Sequence, residues 1–205
     1  MSPGATMERV YTDLKSRIMA GAFDPGSRLD PVHLARELVA SATPVRDALH
    51  RLSGERLVES WHQDGFHQPA HNEADLRDIY VWTQVLLGLA LRAPGRPAPL
   101  DGPVCGADGA AYASRVARLF RAIALTSENR ELRHAIGNVT DRSQMLRAAE
   151  RRSDPDSEAQ LAAMEEDFAV ANWSALRRSV AVFHRRRIAG AGAVALLLRP
   201  PERQL

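Results

Sequence analysis

The chain has 205 residues, of which 45% are hydrophobic, and a formal net charge of +2. This composition is typical of one large or two small globular domains with a substantial core. The single cysteine, Cys105, excludes an intrachain disulfide and favours a reducing compartment. The most apolar run, Ile188 to Leu198, is far shorter than the roughly 20 residues of a membrane-spanning helix, and residues 1–6 do not resemble a signal peptide. We therefore expect a cytoplasmic protein without a membrane partner.

The basic side chains are almost all arginines, and Lys15 is the only lysine. Arginine forms bidentate contacts with phosphate and guanine better than lysine does. A genome of biased base composition would give the same excess, so the arginines alone do not indicate a nucleic-acid partner.

The first two predicted helices cover residues 7–20 and Val32–Val39. Apolar residues recur in the first at helical spacing, and Gly21 ends it. A turn at residues 23–27, containing proline and glycine, leads to the second helix. The inward-facing residues are predicted to be Val10, Leu14 and Ile18 in the first helix, and Leu34, Ala35 and Leu38 in the second.

Residues 41–52 predict a third short helix with one apolar and one polar face. Thr43 is a suitable N-cap, and Pro44 suits the first helical position because its missing N–H would have no partner there. The buried stripe is predicted to be Val45, Ala48, Leu49 and Leu52. Arg46, His50 and Arg51 are then left facing outward.

A β-hairpin is predicted after this helix. Residues 57–61 and 66–68 read as strands on either side of Gln63-Asp64-Gly65, an Asp-Gly turn signal. Residues 69–71 link this unit to the rest, so we place a domain boundary near residue 70, giving domains at 1–70 and 71–205.

The remainder of the chain is predicted to be all helical. Asn72 and Asp75 begin a helix with a good cap that extends through Leu89. A loop rich in proline and glycine follows at 93–110. Further helices are predicted at 111–126, 129–151 and 157–188, the last with a possible break near Asn172.

Two sets of side chains in this part have plain structural interpretations. The large aromatic residues Trp82, Trp173 and Phe183 are predicted to lie in the core or in a dimer interface. The run of arginines at 185–187 is predicted to be a solvated helix end, where cations favour the helix dipole.

Three short helices followed by a two-stranded hairpin indicate a winged helix-turn-helix, in which the third helix enters the major groove and the wing holds phosphates. The fold class is thus mainly α, a winged helix-turn-helix followed by a helical bundle. The predicted DNA contacts are Ser41, Thr43, Pro44, Arg46, His50, Arg51, His62 and Gly65. Residues 1–70 carry eight basic and nine acidic side chains, so they form no basic patch by count. The alternative is a helical subdomain whose arginines are merely solvated.

Separated motifs occur here in a characteristic order. They are residues 18–29 (IMAGAFDPGSRL), 34–38 (LAREL), 41–49 (SATPVRDAL), Leu57-Val58 and 64–66 (DGF). Together they resemble the DNA-binding domain of GntR-family regulators. The resemblance implies that Thr43 and Arg46 contact DNA and that Gly65 of the wing approaches its backbone. Two positions depart from the family, which usually has arginine where this chain has Ala42 and Asp64, and this implies weaker phosphate binding.

Residues 75–80 and 119–132 resemble the C-terminal domain of the FadR subfamily, called FCD. The resemblance implies a helical bundle that dimerises and binds a small effector, commonly an organic acid. Many members hold a divalent metal with one aspartate and three histidines. Here three of these positions read Ala117, Arg121 and Ala159, and only His184 lies near the fourth, so we expect neither a metal nor another cofactor.

Two alternatives stay open for Arg121, which replaces a family ligand. It either holds an anionic effector by itself or forms a structural ion pair. His184 is the other candidate effector residue. The loop at 93–110 replaces helical sequence of the family and predicts a shortened bundle.

The sequence therefore predicts a DNA-binding transcriptional regulator that acts as a repressor. A homodimer would read a palindromic double-stranded operator, and the bundle would dimerise and sense a small anionic effector. The alternative is a ligand-insensitive dimeric DNA-binding protein. An enzyme is not expected, because the chain shows no nucleophile–base pair, phosphate-binding loop or metal cluster.

Overall fold

The computed structural model describes residues 3–97, 100 and 109–199. They form two compact units, an N-terminal unit ending at Ala70 and a C-terminal unit spanning His71–Arg199. Cys105 and most of the predicted loop at 93–110 lie outside the described residues.

The N-terminal unit contains three helices and a hairpin in the predicted order. These elements are α1 (Pro3–Met19), α2 (Pro31–Glu37), α3 (Ala42–Gly54), β1 (Glu59–Trp61) and β2 (Gly65–His67). The two strands are antiparallel, with Ser60 opposite Phe66. The predicted inward-facing residues of all three helices are buried and form one hydrophobic core with Leu29, Leu57, Val58 and Phe66.

Several helix boundaries differ from the prediction, and α1 begins four residues earlier than predicted, at Pro3. α2 ends at Glu37 because Val39 takes a left-handed conformation with φ of 49°, which cannot continue a right-handed helix. α3 begins at Ala42 with Ser41 as its N-cap, so the prediction of Thr43 as N-cap and Pro44 at the first position is wrong. Pro44 stands third instead, where a missing N–H still costs no intrahelical hydrogen bond.

The C-terminal unit is all helical. Its elements are α4 (Glu73–Ala90), α5 (Gly109–Leu125), α6 (Arg130–Ser143), a 3₁₀ turn (Gln144–Leu146), α7 (Arg147–Ser153), α8 (Ser157–Ala169), α9 (Trp173–Ala189) and α10 (Ala191–Leu198). The predicted capping box at Asn72 and Asp75 is confirmed, as is the break before Asn172. α10 was not predicted.

The single helix predicted at 129–151 is wrong, since the 3₁₀ turn divides it. Buried positions continue across that turn at three- and four-residue spacing, from Ser143 to Leu146 and Arg147 and on to Glu150. Hydrophobic periodicity therefore gives no sign of the break.

The core of the C-terminal unit draws on every one of its α-helices. Phe183 is fully buried in it, as predicted, and Trp173 is partly buried against Phe168. Trp82 instead stays 49% exposed on α4. Among the described residues, no helix is both long and apolar enough to span a membrane.

Candidate functional site

The outward face of α3 carries most of the predicted contact residues. Ser41, Thr43, Arg46 and His50 are exposed, and the stripe on the opposite side is fully buried. Spacings of three and four residues place Thr43, Arg46 and His50 on one face. Within the described part of the chain, the Arg46 guanidinium makes no hydrogen bond or ion pair. Its five N–H donors are therefore available to an external acceptor.

The start of α3 lacks a side-chain cap, although Ser41 occupies the N-cap position. In α2, by contrast, the Asp30 carboxylate accepts the N–H groups of Val32 and His33 at 2.8 and 2.9 Å. These two bonds hold the pKa of Asp30 below its ordinary value. The first amides of α3 thus have no side-chain acceptor, which suits a phosphate oxygen.

The hairpin forms a small wing whose turn consists of the exposed residues His62, Gln63 and Asp64. Gly65 does not stand in the turn, as the Asp-Gly signal predicted, but begins β2 opposite Trp61. Gln63 supplies a positive φ of 72° in the turn, and Gly65 follows with φ of 86°. The predicted hairpin is therefore present, with its turn shifted by one residue toward the N-terminus.

Aromatic contacts hold the wing in place. The His50 ring of α3 packs edge-on against Phe66 at 4.9 Å between centroids. Trp61 stacks on the buried ring of His67 at 4.6 Å. One consequence is that His50, a predicted DNA contact, also joins α3 to the wing.

Arg28 is an exposed cation at the wing that the sequence patterns did not indicate. Its segment runs alongside β2, where Leu29 N–H donates to the Phe66 carbonyl at 2.7 Å. The Arg28 Nε and Nη2 atoms lie 3.9 Å from where a Cβ on Gly65 would stand. Its side chain makes no hydrogen bond or ion pair within the described residues. Arg28 thus places a cation beside the wing glycine, where this chain has Asp64 instead of the family's arginine.

Arg51 is engaged within the N-terminal unit. Its Nη1 atom bonds Glu8 of α1 at 2.9 Å, and its guanidinium lies 3.6 Å from the centre of the Tyr11 ring. The Tyr11 hydroxyl in turn donates to Glu55 at 2.6 Å. Arg51 therefore holds α3 against α1.

Ion pairs within the N-terminal unit engage about half of its charged side chains. Three further cations are paired, Arg9 with Asp13, Lys15 with Glu55 and Arg17 with Glu37. Over the residues that the structure describes, the arginines that form no ion pair in this unit are Arg28, Arg36, Arg46 and Arg56, and five carboxylates likewise have no arginine or lysine partner. Pairing therefore leaves the charge balance of the unit unchanged, and what favours a polyanion is the position of Arg46 and Arg28, not the net charge.

Ala42 is half-buried and packs against the N-terminal core. A methyl group suits that position. Asp64, the other position where the resemblance implies an arginine, is exposed in the wing turn, and its Oδ2 atom lies 3.5 Å from His67 Nε2.

In the C-terminal unit, Arg121 lies at the surface of α5. Its side chain is 47% exposed and pairs with Asp141 of α6. Of the two alternatives, this geometry matches the structural ion pair.

His184, the other predicted effector residue, is fully buried on α9. Its Nδ1–H donates to the Val180 carbonyl at 2.8 Å, and its ring stacks on Phe120. Burial lowers the pKa of His184 to about 3, and the neighbouring Arg147 and Arg187 act in the same direction. The imidazole is therefore neutral, and its buried Nε2 atom has no hydrogen-bond partner in the part of the chain described.

A buried ionic cluster neighbours His184 and was not predicted. Arg147 Nη1 donates to both carboxylate oxygens of Glu150, at 2.9 and 2.8 Å, and Arg187 Nε donates to the same group at 3.0 Å. Arg187 also bonds the Tyr112 hydroxyl at 2.5 Å and lies over the Phe183 ring. The prediction of a solvated helix end at 185–187 is therefore wrong for Arg187, which is 3% exposed.

The cluster has one carboxylate for two guanidinium groups. Burial opposes ionisation of Glu150, but the two arginines outweigh it and hold the pKa of its carboxyl below the ordinary value. With His184 neutral, Arg147, Glu150 and Arg187 together retain one positive charge. Among the described residues, no group of three or more His, Cys, Asp or Glu is placed to hold a metal ion.

Comparison with known proteins agrees with this geometry. Residues 6–67 match the family described as "Bacterial regulatory proteins, gntR family". An uncharacterized HTH-type transcriptional regulator of Agrobacterium vitis, from the TAR-I ttuE-ttuC' intergenic region, is 31% identical over 104 residues, covering 51% of this chain and 59% of that protein. The HTH-type transcriptional regulator McbR of Escherichia coli K12 is 37% identical over 71 residues, covering 35% of this chain and 32% of McbR. The sequence matches thus span about three fifths and one third of these relatives.

Solved structures match over a longer stretch. A putative transcriptional regulator GntR from Rhodococcus sp. RHA1 has a TM-score of 0.74 at 17% identity, covering 91% of this chain and 97% of that one. Escherichia coli McbR/YncC has a TM-score of 0.63 at 21% identity, covering 91% and 96%. These likenesses confirm the fold class, an N-terminal winged helix-turn-helix followed by a helical domain. The relatives are named as regulators, in agreement with the expectation that the chain is not an enzyme. Over residues 6–67, in its N-terminal unit, the chain is thus similar to the gntR family of bacterial regulatory proteins.

Proposed function

We propose that this protein is a sequence-specific DNA-binding transcriptional regulator in which α3 enters the major groove. The observation that carries the proposal is the unpaired Arg46 on the exposed face of α3, one turn before the residue that contacts the wing. A guanidinium at that place suits the N7 and O6 acceptors of guanine.

Phosphate contacts would surround this base contact. Ser41, Thr43 and the uncapped amides of α3 suit one phosphate group, with Pro44 shaping the same helix turn. At the wing, His62 and the backbone at Gly65 suit the neighbouring backbone, and Arg28 would supply the cation that Asp64 does not. We do not place Arg51 in the DNA interface, because its guanidinium already bonds Glu8 and packs on the Tyr11 ring.

The C-terminal unit would make the regulator a homodimer. Two recognition helices related by a twofold axis read a palindromic operator, and a dimer bound there would act as a repressor in the cytoplasm. The all-helical unit supports its assignment as a shortened FCD-type domain.

Effector sensing, if present, would involve the buried cluster and not Arg121. The net positive charge around Glu150 favours a small organic acid, and the unpartnered Nε2 atom of His184, which is an acceptor, suits a hydroxyl group on such an acid. The alternative is a ligand-insensitive dimer, favoured by the many bonds that Arg147 and Arg187 already make. A thermal-shift screen of small organic acids separates the two. A shift that Arg187→Met abolishes supports sensing, and no shift with any acid supports the ligand-insensitive form.

Isolation of bound DNA tests the DNA-binding proposal. The full chain is incubated with sheared genomic DNA of its source at about 0.15 M salt, and the retained fragments are sequenced. We expect a small number of enriched fragments that share an inverted repeat. Uniform recovery of the genome would contradict sequence-specific binding.

A further inference from the structure

α4 carries a stripe of large apolar side chains that the described part of the C-terminal unit leaves uncovered. Val81, Trp82, Val85 and Leu89 are between 40% and 49% exposed. Val81, Val85 and Leu89 follow one another at four-residue spacing, and Trp82 and Leu89 are seven residues apart, so the four form one continuous strip. Contiguous exposed apolar strips of this kind mark interaction surfaces.

Charged residues of opposite sign stand at the two ends of the strip. Asp78 lies one turn before it and Arg92 just after it, and both are exposed. Neither side chain forms an ion pair or hydrogen bond with any residue that the structure describes. The strip is therefore polar at its ends, acidic at one and basic at the other.

The arrangement is symmetric about Val85. Val81 and Leu89 are each four residues from it, and Asp78 and Arg92 are each seven residues from it. Trp82 and Gly88 are each three residues away. If a second α4 packs antiparallel with Val85 on the twofold axis, residues equally far from Val85 face each other. Apolar side chains then meet, and Asp78 meets the oppositely charged Arg92.

Gly88 gives an independent sign of the same contact. A glycine within a helix weakens it, and here a Cβ at Gly88 would meet no described atom within 4 Å. No neighbour among the described residues thus requires a glycine there. In the antiparallel arrangement, however, Gly88 lies opposite the large indole of Trp82 and gives it room.

We infer that a second copy of this chain packs on α4 in antiparallel orientation, with Trp82 seated over Gly88 and Asp78 paired with Arg92 across the twofold axis. The inference rests on the proposed homodimer and supplies its contact surface. Such a contact is isologous, since each pair of facing residues occurs twice. The alternating three- and four-residue spacing of Asp78, Val81, Val85, Gly88 and Arg92 suits two helices that cross at a small angle.

Cysteine cross-linking of the full chain, in a Cys105→Ser background, tests the register. Disulfides need Cα atoms about 4.4–6.8 Å apart. We expect Val85→Cys to cross-link with itself under mild oxidation, and Val81→Cys to cross-link with Leu89→Cys only when the two variants are mixed. Val170→Cys, exposed but off the strip, should stay monomeric on a non-reducing gel. Self-cross-linking of both Val81→Cys and Leu89→Cys would overturn the antiparallel arrangement.

Equilibrium sedimentation tests how much Gly88 and the Asp78–Arg92 pair contribute to the stability of the dimer. Gly88→Gln should keep the fold, because open space surrounds that position, yet raise the dimer dissociation constant about tenfold or more by blocking Trp82. Asp78→Arg and Arg92→Asp should each weaken the dimer, and the double variant should restore it. An unchanged dimer in Gly88→Gln, or no restoration in the double variant, would overturn the inference. Binding of each variant to DNA that carries a single operator half-site tests the DNA-binding unit separately from the dimer. A monomer with an intact Arg46 should keep this weak binding.

Discussion

Replacing Glu150 by glutamine should destabilise the C-terminal unit more than any other single change of one charge. The Glu150 carboxylate bonds both Arg147 and Arg187, and all three side chains are at most 3% exposed. Glutamine keeps the size of the side chain but removes the negative charge. Two buried guanidinium groups then face each other without a counter-ion.

The expected loss follows from the cost of an uncompensated buried charge. Removing one partner of a buried ion pair typically costs about 3–5 kcal/mol. We expect about 3 kcal/mol or more here, because two cations lose their partner. With a urea dependence of about 1–3 kcal/mol per molar, the unfolding midpoint falls by about 1–3 M.

Urea unfolding followed by tryptophan fluorescence measures this loss. In a Trp61→Phe background, the remaining tryptophans, Trp82 and Trp173, both report on the C-terminal unit. Glu166→Gln is the matched control, since it makes the same chemical change at an exposed site of α8. A loss below about 1 kcal/mol for Glu150→Gln would refute the ionic cluster described here.

Further predictions concern a strained residue and a titrating ion pair. Val39→Gly should raise the free energy of unfolding by about 1 kcal/mol, because a β-branched residue is strained at φ of 49°. The Val39 side chain is 87% exposed, so its removal loses no packing. Val39→Ala, which keeps the strain, is the control, and an equal gain in that variant would contradict the reasoning. Asp154 bonds Arg186 through both oxygens, at 3.0 and 2.7 Å, and this holds the pKa of Asp154 at about 2. The charged Asp154 therefore stabilises the folded state above the ordinary aspartate pKa, and this stabilisation is lost as pH falls toward 2. Asp154→Asn should lower the free energy of unfolding by about 1–2 kcal/mol at pH 7 and by progressively less below pH 4, as measured by thermal unfolding. A cost that does not depend on pH would count against the charged pair.

Sequence reasoning succeeds here where local periodicity decides the structure. The buried stripes of α1, α2 and α3 follow helical spacing, and the hairpin follows from strand signals around a turn. The capping box that opens α4 is likewise a local pattern. These features depend on residues within one or two helical turns of each other.

The pairing of distant side chains could not be predicted in the same way. Arg51 is engaged by Glu8, 43 residues away in sequence, and Arg28 meets the wing only because its segment pairs with β2. Arg187 lies in a run of arginines that looks solvated, yet the contact with Glu150 draws it into the core. No periodic signal separates such a buried arginine from its exposed neighbours.

The central claim, that α3 reads DNA through Arg46, is tested most directly by one binding titration. An enriched genomic fragment is titrated with the full chain, with Arg46→Ala and with Arg185→Ala, an exposed arginine of α9, at a single salt concentration. A good base contact is worth about 1–3 kcal/mol, so Arg46→Ala should weaken specific binding by about 5- to 150-fold, with Arg185→Ala unchanged. Equal affinity of Arg46→Ala and the unchanged protein would contradict the account.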